Sequence, residues 1–161
     1  MTRAIIAFGA NLGDREATIA AATRELADTQ DITLVAVSPV YETPAIKDGG
    51  VDPDAPGYLN GVLVVETALE PHGLLDVLQA IEAAHGRVRT EHWGDRTLDL
   101  DLIDFGGRRQ FDARLELPHP RAWERAFVLQ PWLDVEPDAV LPGRGSVAEL
   151  RRAATDEVVR R

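Results

Sequence analysis

The sequence predicts an α/β (α+β) chain of the ferredoxin-like β-α-β-β-α-β sandwich type, with additions after the last strand. Three observations predict it. Strand-like apolar or β-branched runs fall at residues 3–8, 32–41, 58–66 and 97–105. Helical patterns lie between the first and second runs and between the third and fourth, but not between the second and third, which is the split βαβ order. The length of 161 residues, with 45% apolar and 27% charged residues, suits a single domain over 1–161 with a substantial core.

Residues 3–8 read as a buried strand, followed by a turn through Gly9-Ala10-Asn11-Leu12-Gly13-Asp14. Asp14 is placed to N-cap a helix running to about Ala27, with Ile19, Ala22 and Leu26 on its apolar face. Residues 32–41 alternate as a second strand. Residues 44–57 hold three Pro, three Gly and three Asp and are expected to be irregular. After the third strand, Pro71 suits the first position of a helix whose buried stripe is Leu74, Leu75, Leu78 and Ile81. Gly86 suits its end. Beyond the fourth strand come a segment at 111–117, a proline-marked turn, a short helix near 122–133 and a polar helix from Ser146.

Composition narrows the function. A net charge of −10 argues against nucleic-acid binding, because phosphate backbones select basic surfaces. No run reaches the roughly 18 apolar residues of a membrane span. Met1-Thr2-Arg3 leads straight into Ala4-Ile5-Ile6-Ala7, too short for a secretory leader. Zero cysteines remove thiol nucleophiles and zinc-thiolate sites. A cytoplasmic monomer, acting on small molecules, is expected.

Of 16 arginines, eight fall between Arg87 and Arg125, beside eight acids. Within that segment lies Asp99-Leu100-Asp101. On a strand Asp99 and Asp101 share one face, while Leu98, Leu100 and Leu102 share the other as core. Two carboxylates two residues apart suit Mg²⁺ completed by substrate phosphates, and they also suit a solvated acidic face. Arg96 precedes the pair, and Arg87-Val88-Arg89 lies just upstream. Acids for metal beside several arginines favour a polyphosphate. Gln79 and Glu82, three apart on one helix, are placed to reach a nucleotide or to face water. There is no GxxxxGK[ST] loop and no HRD or DFG set. Three functions fit at this point: a phosphoryl- or diphosphoryl-transfer enzyme, a nucleotidyltransferase using the same two-metal strand, and a ligand-binding regulatory module.

The run His92-Trp93-Gly94-Asp95-Arg96-Thr97-Leu98-Asp99-Leu100-Asp101-Leu102-Ile103 resembles the signature of the 6-hydroxymethyl-7,8-dihydropterin pyrophosphokinase family. Ala7-Phe8-Gly9-Ala10-Asn11-Leu12-Gly13, Tyr41-Glu42-Thr43-Pro44, Tyr58-Leu59-Asn60, Gly86-Arg87-Val88-Arg89, Leu117-Pro118-His119-Pro120-Arg121 and Arg125-Ala126-Phe127-Val128-Leu129 follow in family order. The resemblance implies transfer of the β,γ-diphosphate of ATP, as co-substrate, to the hydroxyl of 6-hydroxymethyl-7,8-dihydropterin, leaving AMP, in folate synthesis. It implies two Mg²⁺ ions on Asp99 and Asp101, and Arg87 and Arg96 acting on the triphosphate. Gln79, Glu82, Arg89, Trp93, Leu102, Arg114, His119 and Arg125 match nucleotide contacts. Thr43, Pro44, Ile46, Tyr58, Asn60, Trp93 and Phe127 match the pterin pocket, with Trp93 and Phe127 sandwiching the ring. Read from the residues alone, Phe127 is a core position. Asp95 departs from the family, which usually carries a small residue or proline there. The 44–57 loop is longer than the family's and the 90–92 stretch slightly shorter.

Overall fold

The structure is a computed structural model that describes residues 1–11, 13–44, 46–47, 50–51, 57–86 and 97–161, with 46, 47, 50 and 51 described by backbone only. In chain order the elements are β1 (Thr2–Ala10), α1 (Arg15–Ala27), β2 (Ile32–Val37), β3 (Tyr41–Thr43), β4 (Ile46–Lys47), β5 (Gly50–Val51), β6 (Tyr58–Thr67), α2 (Pro71–Ala84), β7 (Asp99–Phe105), β8 (Gln110–Phe111) and β9 (Glu116–Leu117). A 3₁₀ turn (Ala122–Glu124), α3 (Ala126–Val135), β10 (Val140–Leu141), β11 (Gly145–Ser146), α4 (Val147–Ala153) and β12 (Val159–Arg160) complete it.

β6 is the spine of the main sheet. It pairs with β1 on one side and with β2 and then β3 on the other; β7 flanks β1 and β12 flanks β3, antiparallel throughout. Taking β1, β2, β6 and β7 as the four strands of the predicted order, the arrangement is the expected ferredoxin-like one. Both faces of β1 are buried, which is why its sequence is a continuous apolar run rather than an alternation. Ala4, Ile6 and Phe8 join Leu63 and Val65 against α1 and α2, packing on Leu26, Leu74 and Leu78. Ile5, Ala7, Val62 and Val64 face the opposite way, onto Val128, Leu129 and the fully buried Trp132 of α3. Each such large apolar side chain contributes about 1.5–3 kcal/mol on burial. Gly61 makes room for the inner face: a Cβ there would lie 2.2 Å from the Phe8 ring.

The helix ends follow their sequence signals. Asp14 accepts a hydrogen bond from Ala17 N at 3.1 Å and so caps α1. Pro71 opens α2, and Gly86, at φ +78°, follows its end in the left-handed region. Three expectations are corrected. The strand read over 32–41 is two strands, because Pro39 has no N–H to contribute to a ladder. Ser38 bridges the break, its N–H donating to Val62 O at 2.9 Å and its Oγ accepting from Val62 N at 2.8 Å. The 44–57 segment contains the paired strands β4 and β5, although no regular structure was expected there. The helix expected near 122–133 is a 3₁₀ turn followed by α3, and the 111–117 segment belongs to the β8–β9 hairpin.

α3 starts with no side-chain cap from its own preceding residue, Arg125. Asp156, beyond α4, supplies one: both its carboxylate oxygens lie 2.9 Å from Ala126 N. A carboxylate at a helix N-terminus satisfies an orphan donor and complements the dipole. The C-terminal stretch thereby fixes the start of α3, and β12 extends the sheet beside β3.

Candidate active site

The open end of the sheet on the α3 side is built by cross-strand register. Tyr41 of β3 pairs with Asn60 of β6, Asn60 with Gly9 of β1, and Gly9 with Asp99 of β7. Paired residues point to the same face. Asp101 lies two residues further along β7, opposite Ala7. Asp99 and Asp101 are therefore both on the α3 face and both half-buried, while Leu98, Leu100 and Leu102 are buried on the other face.

Asn60 is 5% exposed, and its amide donates to Thr43 Oγ1 at 2.9 Å and to the Tyr58 carbonyl at 3.3 Å. Thr43, Tyr58 and Asn60 thus form one polar cluster. Gly9 separates this cluster from Asp99 and carries no side chain, so the floor between them is bare backbone. A Cβ on Gly9 would stand 3.3 Å from Asn60 Oδ1. Pro44 is exposed beside Thr43. Ile46 is in β4, but its side chain lies outside the described residues.

From the α3 side, Phe127 is half-buried against the second core, and the Arg125 guanidinium lies 5.5 Å from its ring centroid. The core position read from the residues alone is only partly right, since one part of the ring remains accessible. His119 is tied to β7 by its N–H donating to Ile103 O at 2.9 Å. Burial pushes the His119 imidazole below its usual pKa; the Asp101 charge opposes that and Arg125 adds to it. Burial also lowers Arg125, with Arg121 adding and Asp101 opposing. His119, Arg125 and Asp101 thus share one electrostatic environment.

On the α2 flank, Arg114 donates to Gln79 Oε1 at 3.1 Å and to Asp76 at 2.8 Å, all at the surface. Glu82 does not face water. It is 4% exposed, and its Oε2 accepts from Leu100 N at 2.8 Å, holding the start of β7. Leu102 has its side chain in the core, so any contact it makes with a ligand is through its backbone. Arg87, Arg89, Trp93, Asp95 and Arg96 lie outside the described residues. Sequence reading alone missed Gly9 as the divider of the site and Asp156 as the cap beneath Phe127. The second had no local signal, since it acts on a helix 30 residues away.

Among the described residues, a divalent cation at Asp99 and Asp101 would draw its remaining ligands from bound phosphate. Among the described residues no group of three or more His, Asp or Glu side chains is placed to hold a metal. Two carboxylates on one face, completed by phosphate oxygens, is the ligand set that Mg²⁺ takes at nucleotide sites.

Comparison with known proteins follows the same lines. Residues 5–137 match the family model described as 7,8-dihydro-6-hydroxymethylpterin-pyrophosphokinase (HPPK). A Methylorubrum extorquens protein named 2-amino-4-hydroxy-6-hydroxymethyldihydropteridine pyrophosphokinase is 42% identical over 161 residues, 98% of this chain and 99% of its own. A Pseudomonas aeruginosa protein of the same name is 42% identical over 159 residues, covering 99% and 96%. Among solved structures, a wild-type Plasmodium falciparum HPPK-DHPS with pteroate superposes with a TM-score of 0.70 at 14% identity. The match covers 94% of this chain and 42% of that one, and it carries the fold alone.

Proposed function

The chain belongs to the 7,8-dihydro-6-hydroxymethylpterin-pyrophosphokinase family, and we propose that it transfers the β,γ-diphosphate of ATP to the hydroxyl of 6-hydroxymethyl-7,8-dihydropterin. The products are the pterin diphosphate and AMP, a step of folate synthesis. One observation carries the assignment of the site. The Thr43–Tyr58–Asn60 cluster and the Asp99–Asp101 pair occupy one face of one sheet, one strand apart, with only Gly9 between them. That spacing suits a heterocycle on the polar cluster with its hydroxymethyl group directed at a phosphate beside the carboxylates.

On this reading Asn60 and Thr43 bind the polar edge of the pterin, with Tyr58, Pro44 and Ile46 around it, and Phe127 and Trp93 stack on its two faces. Gln79, Glu82, Arg89, Leu102, Arg114, His119 and Arg125 line the nucleotide, Glu82 by setting the start of β7 and Leu102 by its backbone. Trp93 adjoins both substrates. Arg87 and Arg96 hold the triphosphate. Asp99 and Asp101 would hold two Mg²⁺, which when bound neutralise phosphate charge and orient the phosphoryl oxygens. The pterin hydroxyl oxygen forms a bond to the β-phosphorus, and the bond from that phosphorus to the α,β-bridging oxygen breaks. Asp101 is the candidate acceptor for the hydroxyl proton. Among the described residues no helix is long and apolar enough to cross a membrane. On this reading the chain acts as a cytoplasmic monomer on small-molecule substrates.

The test is product identity. Incubation with ATP, Mg²⁺ and the reduced hydroxymethyl pterin yields AMP in step with pterin diphosphate. Release of inorganic pyrophosphate, with AMP attached to the acceptor, would instead establish nucleotidyl transfer.

A further inference from the structure

Next to His119, the β8–β9 hairpin and the β10–β11 turn enclose a second concavity of about 410 Å³. That is within the roughly 300–1,000 Å³ of small-molecule sites. Two arginines line it, Arg109 and Arg144. Neighbouring arginines of this acidic chain are matched to carboxylates: Arg108 to Glu70 at 3.5 Å, Arg114 to Asp76 at 2.8 Å and Arg121 to Glu124 at 2.8 Å. Arg109 and Arg144 take part in no ion pair with another described residue.

Both are instead held in place by other means. The Arg109 guanidinium lies over Gly143, whose φ is +78°; a Cβ at that residue would come within 3.1 Å of Arg109 Nη1. The Arg144 guanidinium lies 4.4 Å from the Trp123 ring centroid. A guanidinium stacked on an aromatic face keeps its in-plane N–H fork for an oxyanion, and stacking removes part of the entropy cost of presenting it. One acid, Glu116, also lines the cavity, so the arginines outnumber it. Gln110 and His119 are polar, and the rest of the wall is apolar, including Leu117, Pro118 and Phe111, the last 82% exposed. Phe111 and the prolines offer a planar ring an apolar surface beside two arginines that no described carboxylate pairs, a combination that suits a ligand carrying a ring and an anion.

We propose that this cavity is a second ligand site, taking a small phosphate ester of a planar ring: the phosphoryl group on Arg109 and Arg144, the ring against Phe111 and the proline wall. Apart from His119, which closes one end, it shares no residue with the proposed catalytic site, and it does not depend on that reading. The indole N–H signals of the three tryptophans, in ¹⁵N-labelled full-length protein, provide the test. AMP is the probe, and Trp123→Phe assigns the reporter. AMP shifts the Trp123 signal saturably, and Arg109→Ala or Arg144→Ala weakens that binding at least ten-fold while turnover at saturating substrates stays unchanged. Trp93 reports the proposed nucleotide site in the same titration, so failure at one site is distinguishable from failure at the other. Absence of a saturable Trp123 shift, or a shift that survives both arginine variants, would overturn the proposal. An equally tight response to inorganic phosphate would overturn the planar-ring assignment.

Discussion

Gly9→Ala tests whether the bare strip between the two halves of the site matters. Gly9 is absent from the residues with positive φ, so alanine fits its backbone. In a strand interior alanine is favoured over glycine by roughly 0.5–1 kcal/mol, and the thermal midpoint should hold or rise. The new Cβ, however, stands 3.3 Å from Asn60 Oδ1, and the amide must move by about 0.3 Å. Asn60 cannot yield freely, because Thr43 Oγ1 at 2.9 Å and the Tyr58 carbonyl at 3.3 Å hold its other end. If a displacement of 1 Å costs about 10²-fold, 0.3 Å costs about 4-fold, or ~0.8 kcal/mol, in kcat/KM for the pterin. KM for ATP should not change. The assay is a double-mutant cycle with Asn60→Ala, read by steady-state kinetics on each substrate. In the Asn60→Ala background the Gly9→Ala penalty should vanish. An equal penalty in both backgrounds, or one that falls on ATP, would refute the argument that Gly9 acts through Asn60.

Asp99→Ala and Asp101→Ala should each abolish turnover with the fold intact, since both side chains sit half-buried on the site face; circular dichroism and AMP release check this, and near-normal activity would remove the carboxylates from the mechanism. Asp156→Ala should cost about 0.5–2 kcal/mol of stability by uncapping α3. It should also raise KM for the pterin more than for ATP, through Phe127, with Asp156→Asn restoring part of both; equal effects on the two substrates would make the cap purely structural. Arg96→Ala should lower kcat about 10²–10³-fold with little change in ATP affinity, and unchanged single-turnover rates at saturating ATP would shift that role to Arg87. Burial raises the Asp104 carboxyl above its usual pKa, with Glu136 adding, against hydrogen bonds from the Gly107 and Phe105 amides; its Oδ1 is buried and has no hydrogen-bond partner among the described residues. A raised acid favours the fold below the unfolded pKa of 3.8 and loses that contribution as pH climbs through the folded value. Asp104→Asn should therefore stabilise the protein at pH 7 and flatten its stability between pH 4 and 7, whereas a lower unfolding midpoint at pH 7 would show the charge to be favourably placed.

What the sequence revealed divides by the range of the interaction that decides it. The cap at Asp14, Pro71 opening α2 and the leucine face of β7 depend on neighbours within four residues, and all were legible. Asp99 and Asp101 could be placed on a common face from strand periodicity alone. Their relation to Asn60 could not, because it depends on register across β7, β1 and β6, and no local pattern encodes which residue of β6 meets Gly9. Glu82 shows the opposite failure. Its helical position reads as solvent-facing, yet an edge strand left the Leu100 N–H in need of an acceptor, and a glutamate was long enough to reach it from α2. A carboxylate that satisfies backbone at the start of β7 is drawn inward against its own desolvation, and it fixes the strand that carries Asp99 and Asp101. The residues whose roles resisted prediction are thus the ones that connect elements rather than build them. Glu82 joins α2 to β7, Asp156 joins the C-terminal stretch to α3, and Gly9 sets the distance between two clusters it does not belong to. Substitution at such positions should alter catalysis by displacing a neighbour, which is why paired substitutions, more than single ones, separate their effects from those of the groups they position.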